Sequence, residues 1–247
     1  MIKKRVTTIC KKATLLLSLF IPGISYGQTN TAIEKNEALS HTISNHTNFP
    51  DNSAKDSLIK ELFVIDDNDQ KYRNQLDEVR TKYGGDATEM KDLIKLMTEA
   101  DSIDLIKVTA ILDKYGWLGP GVIGGECNTT LFMVIQHSDL KVQEKYLPMM
   151  RRAVKNGQAK ANSLALLEDR VALRQGKKQT YGSQVSWNMI TNRAYVAPLA
   201  DPDNVDKRRA EVGLPPLAGY LAGMDVKWDI EQYKKDLPAI EAEFFKK

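Results

Sequence analysis

Residues 58–83 read LIKELFVIDDNDQKYRNQLDEVRTKY, and their apolar members recur at alternating steps of three and four with a single gap. An α-helix turns once in about 3.6 residues, so this spacing places those side chains on one face. The sequence therefore predicts a long amphipathic helix that packs this face into a core. The face is formed by Leu58, Leu62, Ile65, Tyr72, Leu76, Val79 and Tyr83.

A carboxylate, Asp69, occupies the gap in this apolar face. Burial of an unpaired carboxylate costs free energy, and Arg73 lies one helical turn further on, where it could supply the opposite charge. Two interpretations stay open: a buried Asp69–Arg73 pair, or a surface salt bridge at the edge of the apolar face.

Helical periodicity continues along most of the chain and changes to a period of two from Tyr181. That alternation, with a second run at 195–197, predicts a β-hairpin near residues 179–198. The predicted fold class is therefore mainly α, a multi-helix globular domain with one small β-hairpin. Further helices are expected between Asp86 and Gly116, with a second start at Asp101 and Asp104, and at about 126–138, 140–156, 160–175, 202–212 and 226–247.

The first 27 residues have the pattern of an export signal. Five of the first twelve are Lys or Arg, and an apolar run of about nine residues, 13–21, follows. A helix needs roughly 20 apolar residues to span a bilayer, so this run is too short for a membrane anchor. Ser25 and Gly27 place small residues before a cut at Gly27/Gln28. We expect a cleavable signal peptide, 1–27, and a periplasmic or secreted protein; the alternative is a buried N-terminal helix.

The expected domain organisation follows from composition. Residues 28–53 are polar and lack apolar periodicity, which predicts a flexible linker. Residues 54–225 are then expected to form a single helical domain that contains the hairpin, and 226–247 a C-terminal helix. No other apolar stretch is long enough to span a membrane, so no transmembrane segment is expected in the mature chain.

The net charge of the whole chain is +3, from 35 Lys and Arg against 32 Asp and Glu. Five of these cations lie in the expected signal peptide, and their removal leaves 30 cations and a mature charge of about −2. A nucleic-acid partner is therefore not expected. With three histidines, two cysteines and no HExxH or CxxC motif, the sequence predicts neither a metal site nor a cofactor.

The candidate site centres on His137, the one histidine of the expected folded domain. His137 would act as a general acid or base, with Asp139 or Asp169 as the carboxylate that orients it. In the alternative interpretation these polar groups satisfy backbone atoms at helix ends, and Asp139 caps the helix that follows it. The candidate ligand-binding residues of the same pocket are Tyr181, Gln184 and Arg170, which would hold an anion.

Five short motifs occur in the same order as in a known bacterial family. They are Asp69-Gln70-x-x-Arg73, Gly116-Trp117, Gln136-His137-Ser138-Asp139, Asp169-Arg170 and Gln179-x-Tyr181-Gly182-Ser183-Gln184. From about residue 66 to 220 the chain resembles an uncharacterised family of unknown function whose hallmarks are GWP, QHAD, DR and YGTQ. It departs from these hallmarks in three places. GWP becomes Gly-Trp-Leu-Gly-Pro, Ser138 replaces the alanine of QHAD, and Ser183 replaces the threonine of YGTQ. The resemblance implies no activity, and it adds Asp69, Arg73, Trp117 and Gln136 to the candidate ligand-binding residues.

Three functions stay open. The first is an exported binding domain for a small polar or anionic ligand of the cell envelope. The second is a hydrolase or lyase that uses His137 as general acid or base. The third is a structural or interaction module in which the polar residues stabilise helix ends. The sequence does not decide whether the protein is an enzyme.

Overall fold

The computed structural model describes residues 52–188 and 193–246. These residues are mostly helical with one two-stranded antiparallel hairpin, which confirms the predicted fold class. The expected signal peptide and nearly all of the expected linker lie outside the described residues. No described helix is long and apolar enough to cross a membrane. The elements are α1 (Asn52–Arg73), α2 (Leu76–Tyr83), α3 (Thr88–Tyr115), α4 (Pro120–Ile123), α5 (Gly125–His137), α6 (Leu140–Lys155), α7 (Ala161–Arg174), β1 (Val185–Asn188), β2 (Arg193–Val196), a 3-10 turn (Pro202–Asn204), α8 (Val205–Glu211), α9 (Leu217–Ala222) and α10 (Ile230–Phe244).

The first helix is shorter than its sequence suggested. α1 ends at Arg73, where the Gln75 N–H bonds the Tyr72 carbonyl in a tighter three-residue turn, and α2 begins at Leu76. The prediction of one continuous helix over 58–83 is therefore wrong at this turn. α2 buries none of its residues, so the apolar face reaches the core through α1.

α3 is a single helix of 28 residues, and the predicted second start at Asp101 and Asp104 is wrong. Asp101 binds Arg73 of α1, and Asp104 is buried on the inner face of the helix. An aspartate at a helix start and an aspartate with a tertiary contact inside a helix look alike in a sequence. Aspartate favours helix starts, and a sequence does not show a tertiary partner.

The larger apolar cluster surrounds α5, which packs against α1, α3, α6 and α7. α5 presents Cys127, Leu131 and Ile135 to this cluster at steps of four, as an amphipathic helix does. Cys127 is a buried free cysteine, and burial raises the pKa of its thiol. It therefore has the features of a small core residue rather than of a reactive thiol.

A second apolar cluster joins the hairpin to the C-terminal helices. β1 pairs with β2 in a register that sets Val185 opposite Val196, and both side chains are buried. Tyr233 of α10 donates a hydrogen bond to the Ala197 carbonyl (3.0 Å) and accepts one from the Leu199 N–H (2.8 Å). These bonds hold α10 against the segment that follows β2.

Two C-terminal helices differ from their expected bounds. α10 begins after Asp229, whose carboxylate accepts the Gln232 N–H, and it ends at Phe244 rather than at 247. α9 is not among the helices expected from the sequence. It follows Pro216, which precedes its first turn, where the missing N–H of proline costs no helical hydrogen bond.

The packing of this core predicts that two truncations of apolar side chains lower the free energy of unfolding by clearly different amounts. Leu131→Ala should lower the free energy of unfolding by about 2–5 kcal/mol, because it removes buried methyl groups and leaves a cavity among packed helices. Phe63→Ala removes a larger side chain, but Phe63 is 45% exposed, so its loss should cost under about 1 kcal/mol. Urea denaturation followed by circular dichroism measures both, and equal losses would contradict the assignment of the core.

Candidate functional site

His137, the last residue of α5, is buried and contacts the carboxylate of Asp69 on α1. Its Nδ1 lies 2.8 Å from Asp69 Oδ1. Burial lowers the pKa of His137 and outweighs the opposing effect of the Asp69 charge, while Arg73 lowers it further. The imidazole is therefore neutral near pH 7, with its proton on Nδ1 donated to Asp69 and Nε2 left as the basic atom.

Asp69 is held in turn by Arg73, so the buried interpretation of this pair is the one found. Arg73 Nη1 lies 3.2 Å from Asp69 Oδ1 and donates to the Asp69 carbonyl at 2.6 Å. The two terminal nitrogens of Arg73 also pair with the carboxylate of Asp101 on α3, at 2.8 and 2.7 Å. Burial raises the pKa of Asp69, but His137 and Arg73 outweigh burial and leave that pKa below its ordinary value. We call Asp101, Arg73, Asp69 and His137 the Asp69 network; it joins α3, α1 and α5.

Asp139 lies two residues beyond His137 but has a different contact. Its carboxylate accepts the Val142 N–H at 2.9 Å and caps the first turn of α6. The residue is exposed, unlike the buried His137. The carboxylate that orients His137 is that of Asp69, which the sequence had grouped with the ligand-binding candidates.

Asp169 is fully buried in α7, and its carboxylate accepts backbone N–H groups from the segment after that helix. The donors are Thr180 (2.7 Å), Tyr181 (2.9 Å) and Ser183 (2.9 Å). Burial raises the pKa of Asp169, and these three hydrogen bonds oppose the rise. Asp169 therefore fixes the path of the chain between α7 and β1.

Arg170 and Arg174 of α7 donate to carbonyls at the C-terminal end of α5. Arg170 Nη1 donates to the Gln136 carbonyl at 2.7 Å, and its Nε donates to Gln184 Oε1 at 2.9 Å. Arg174 donates to the Ser138 carbonyl at 2.6 Å. The last carbonyls of a helix have no partner within the helix and carry partial negative charge, so cationic donors stabilise this end.

The remaining candidates use their backbone or pack in the core. Tyr181 donates its N–H to Asp169, and its carbonyl accepts a bond from Arg209 at 2.7 Å. Trp117 belongs to the larger apolar cluster, and its Nε1 is buried with no hydrogen-bond partner among the described residues. The structure thus brings together Asp69, Arg73 and His137. Arg170 separately contacts both the Gln136 carbonyl and the side chain of Gln184. Asp139 and Trp117 belong to neither set.

Several buried polar residues were not among the candidates from the sequence, and Asp104, Gln143 and Arg209 are three of them. Asp104 lacks a well-formed hydrogen bond at either oxygen, and burial, partly offset by Asn68 and Lys107, raises its pKa to about 6. It lies on the apolar face of α3, seven residues after Met97, so the signal that identified Asp69 was also present here.

A cavity of about 250 Å³ lies between α1 and α3, and no candidate site residue lines it. In the described part of the chain, no group of three His, Cys, Asp or Glu side chains is placed to hold a metal ion. Among the candidates, His137 could exchange a proton at Nε2 while Asp69 holds Nδ1. The lining residues of the cavity are Asn68, Lys71, Tyr72, Leu96, Glu99, Ala100 and Ile103.

Asp104 should make the protein less stable as pH rises. Its folded pKa of about 6 lies above the ordinary value of 3.8, so the folded state keeps a proton that the unfolded state releases between these values. The ionised carboxylate therefore costs roughly 1–3 kcal/mol above pH 6, and Asp104→Asn should recover this amount at about pH 7.5. At about pH 4 the same substitution should change stability little.

The matched control for this measurement is Asp92→Asn, at an exposed position on the same helix. Chemical denaturation at both pH values gives the free energy of unfolding of each variant. A pH-independent effect of Asp104→Asn, or an equal gain from Asp92→Asn, would show that Asp104 is not a buried, protonated group in the folded protein.

A family model described as a family of unknown function (DUF6624) matches residues 56–231. No curated protein and no solved structure matches the chain at a significant level. The matched region runs from α1 to the first turn of α10 and includes the Asp69 network and the contacts of Asp169 and Arg170. The resemblance to an uncharacterised family is thereby confirmed, and the chain belongs to this family of unknown function, DUF6624.

Proposed function

We propose that the protein is an exported helical interaction module, in which the polar motif residues stabilise the fold and the outer helices carry the binding surface. The observation that carries this proposal is that the candidate side chains bond the protein's own backbone. Asp169 accepts three backbone N–H groups, and Arg170 and Arg174 donate to the end of α5. A ligand at these groups would have to displace bonds that hold the helices together.

A small polar or anionic ligand at the same residues has less support. Small-molecule sites are concave and enclose most of their ligand. The cavity between α1 and α3 is lined by other residues. Arg170, the expected anion-binding residue, already donates from Nε and Nη1 to groups of the protein.

A second candidate function is a hydrolase or lyase in which His137 is the general acid or base. The observation in its favour is the contact of 2.8 Å between His137 Nδ1 and Asp69 Oδ1. A carboxylate at Nδ1 fixes the tautomer that leaves Nε2 basic, and the lowered pKa of His137 keeps the ring ready to accept a proton. In an interaction module the same contact would serve only to tie α5 to α1.

Substitution of His137 tests the structural role. His137→Gln should lower the free energy of unfolding by about 2–4 kcal/mol, because it removes a buried partner of the charged Asp69. Asp139→Asn is the matched control two residues away. An asparagine also caps a helix, so this change should cost under about 0.5 kcal/mol. Urea denaturation measures both, and a fully stable His137→Gln protein would argue against the structural role.

The same two variants test for catalysis. Hydrolysis of p-nitrophenyl esters, phosphates and glycosides is measured at a temperature where circular dichroism shows each variant to be folded. The interaction module predicts that the wild-type rate equals the uncatalysed rate. A rate enhancement shared by wild type and Asp139→Asn and lost in His137→Gln would overturn the interaction proposal in favour of the enzyme.

Export is the other part of the proposal, and it rests on the charges and the short apolar run of residues 1–27. The wild-type protein should be recovered outside the cytoplasm with Gln28 as its first residue, as measured by mass spectrometry of the intact chain. Leu16→Arg should interrupt the apolar run and leave the uncut chain in the cytoplasm, whereas Ser18→Ala should be exported normally. Recovery of an uncut wild-type chain would contradict the signal-peptide proposal.

A further inference from the structure

Apolar side chains are exposed on the surface that α1 and α3 share, which we call the α1/α3 face. Val64 of α1 is 52% exposed, and on α3 the exposed fractions are 45% for Leu96, 56% for Ile103 and 71% for Ile106. Single exposed apolar residues are common on monomers, whereas a contiguous group of them marks an interaction site.

Helical periodicity places three of these side chains in a row along α3, and the fourth, Val64, on the side of α1 that borders the cavity. Ile103 follows Leu96 by seven residues and Ile106 follows Ile103 by three, so the three form a row along α3. On α1, Val64 precedes Asn68 by four residues, and Asn68 lines the cavity between the helices together with Leu96 and Ile103. The apolar row on α3 and the single side chain of Val64 on α1 therefore border the same shallow groove.

The size of the α1/α3 face is that of a small interface. From their exposed fractions, the four side chains present on the order of 400 Å² of apolar surface, the size of the largest patch on many monomers. Interfaces are roughly 55–65% apolar and bury about 800 Å² per partner in a standard complex. The area of this apolar patch together with the polar residues around it is thus slightly below the standard area per partner, which predicts weak association.

The charges at the groove point to a second copy of the chain as the occupant. Lys71 of α1 and Glu99 of α3 both line the cavity, and the ion pairs among the described residues include neither of them. A two-fold axis along the groove would set α1 of each copy over α3 of the other. Lys71 would then meet Glu99 twice, which is the self-complementarity that a symmetric dimer requires.

We propose that the protein forms a symmetric homodimer through the α1/α3 face, with Val64 and the apolar row of α3 at its centre and two Lys71–Glu99 pairs at its rim. This inference rests on the proposed interaction role and names the partner. The limited area gives a dissociation constant in the micromolar range.

Sedimentation equilibrium of the exported protein, over about 1–200 µM, tests the apolar part of the proposal. The wild type should pass from monomer to dimer within this range. Ile103→Glu should raise the dissociation constant at least about ten-fold, because it places a charge in the centre of the interface. Phe63→Glu is the control, since Phe63 is 45% exposed but lies about 100° around α1 from Val64, and should leave the dissociation constant unchanged.

A charge exchange tests the symmetry of the dimer. Lys71→Glu should weaken association about ten-fold, because two like-charged contacts replace two ion pairs. Adding Glu99→Lys should restore the dissociation constant to within about three-fold of the wild type, since the pairs then re-form with their signs reversed. Recovery of this kind requires that the two positions face each other across the interface.

A wild type that stays monomeric throughout this range, or a dimer weakened equally by Phe63→Glu, would overturn the proposal, as would a charge exchange without recovery. Circular dichroism of each variant shows whether it is folded. Monomeric behaviour alone would remove only the choice of partner and leave the interaction role in place. Turnover that depends on His137 would remove the interaction role, and the dimer would still be measurable.

Discussion

Asp69 lies inside the helical bundle as a charged carboxylate, and apolar packing cannot compensate for that charge. A buried ion without partners costs several kcal/mol, so the helices must bring His137 and Arg73 to it. Arg73 is itself nearly buried and needs Asp101. The Asp69 network therefore adds directional contacts between α1, α3 and α5 to their apolar packing, which is not directional.

A comparable constraint joins the two apolar clusters through consecutive residues of α7. Arg170 points to the carbonyls at the end of α5, whereas Asp169 collects the N–H groups of the segment that leads into β1. Because neighbouring residues on a helix differ by about 100° in direction, one short motif can reach both clusters. The hairpin, α8, α9 and α10 are therefore attached to the bundle by hydrogen bonds that an apolar interface could not direct.

The inner and outer faces of α1 and α3 carry different roles. Their inner faces hold Asp69, Arg73 and Asp101, and their outer faces expose Val64 on α1 and the apolar row of α3. The ion pair between Arg73 and Asp101 links α1 to α3 on the inner side of the same two helices.

The sequence by itself determined the helical class, the place of the hairpin and the closeness of Arg73 to Asp69, because these depend on periodicity and on residues one turn apart. Only the tertiary structure decided that Asp69, and not Asp139, orients His137. Asp69 and His137 are 68 positions apart, so their contact depends on how whole helices pack. The same limit applies to Asp101 and Asp104, because in the sequence alone two nearby aspartates resemble the residues that begin a helix. The pairing of buried carboxylates with cations depends on how the helices pack, because a carboxylate that is removed from water without a partner costs free energy.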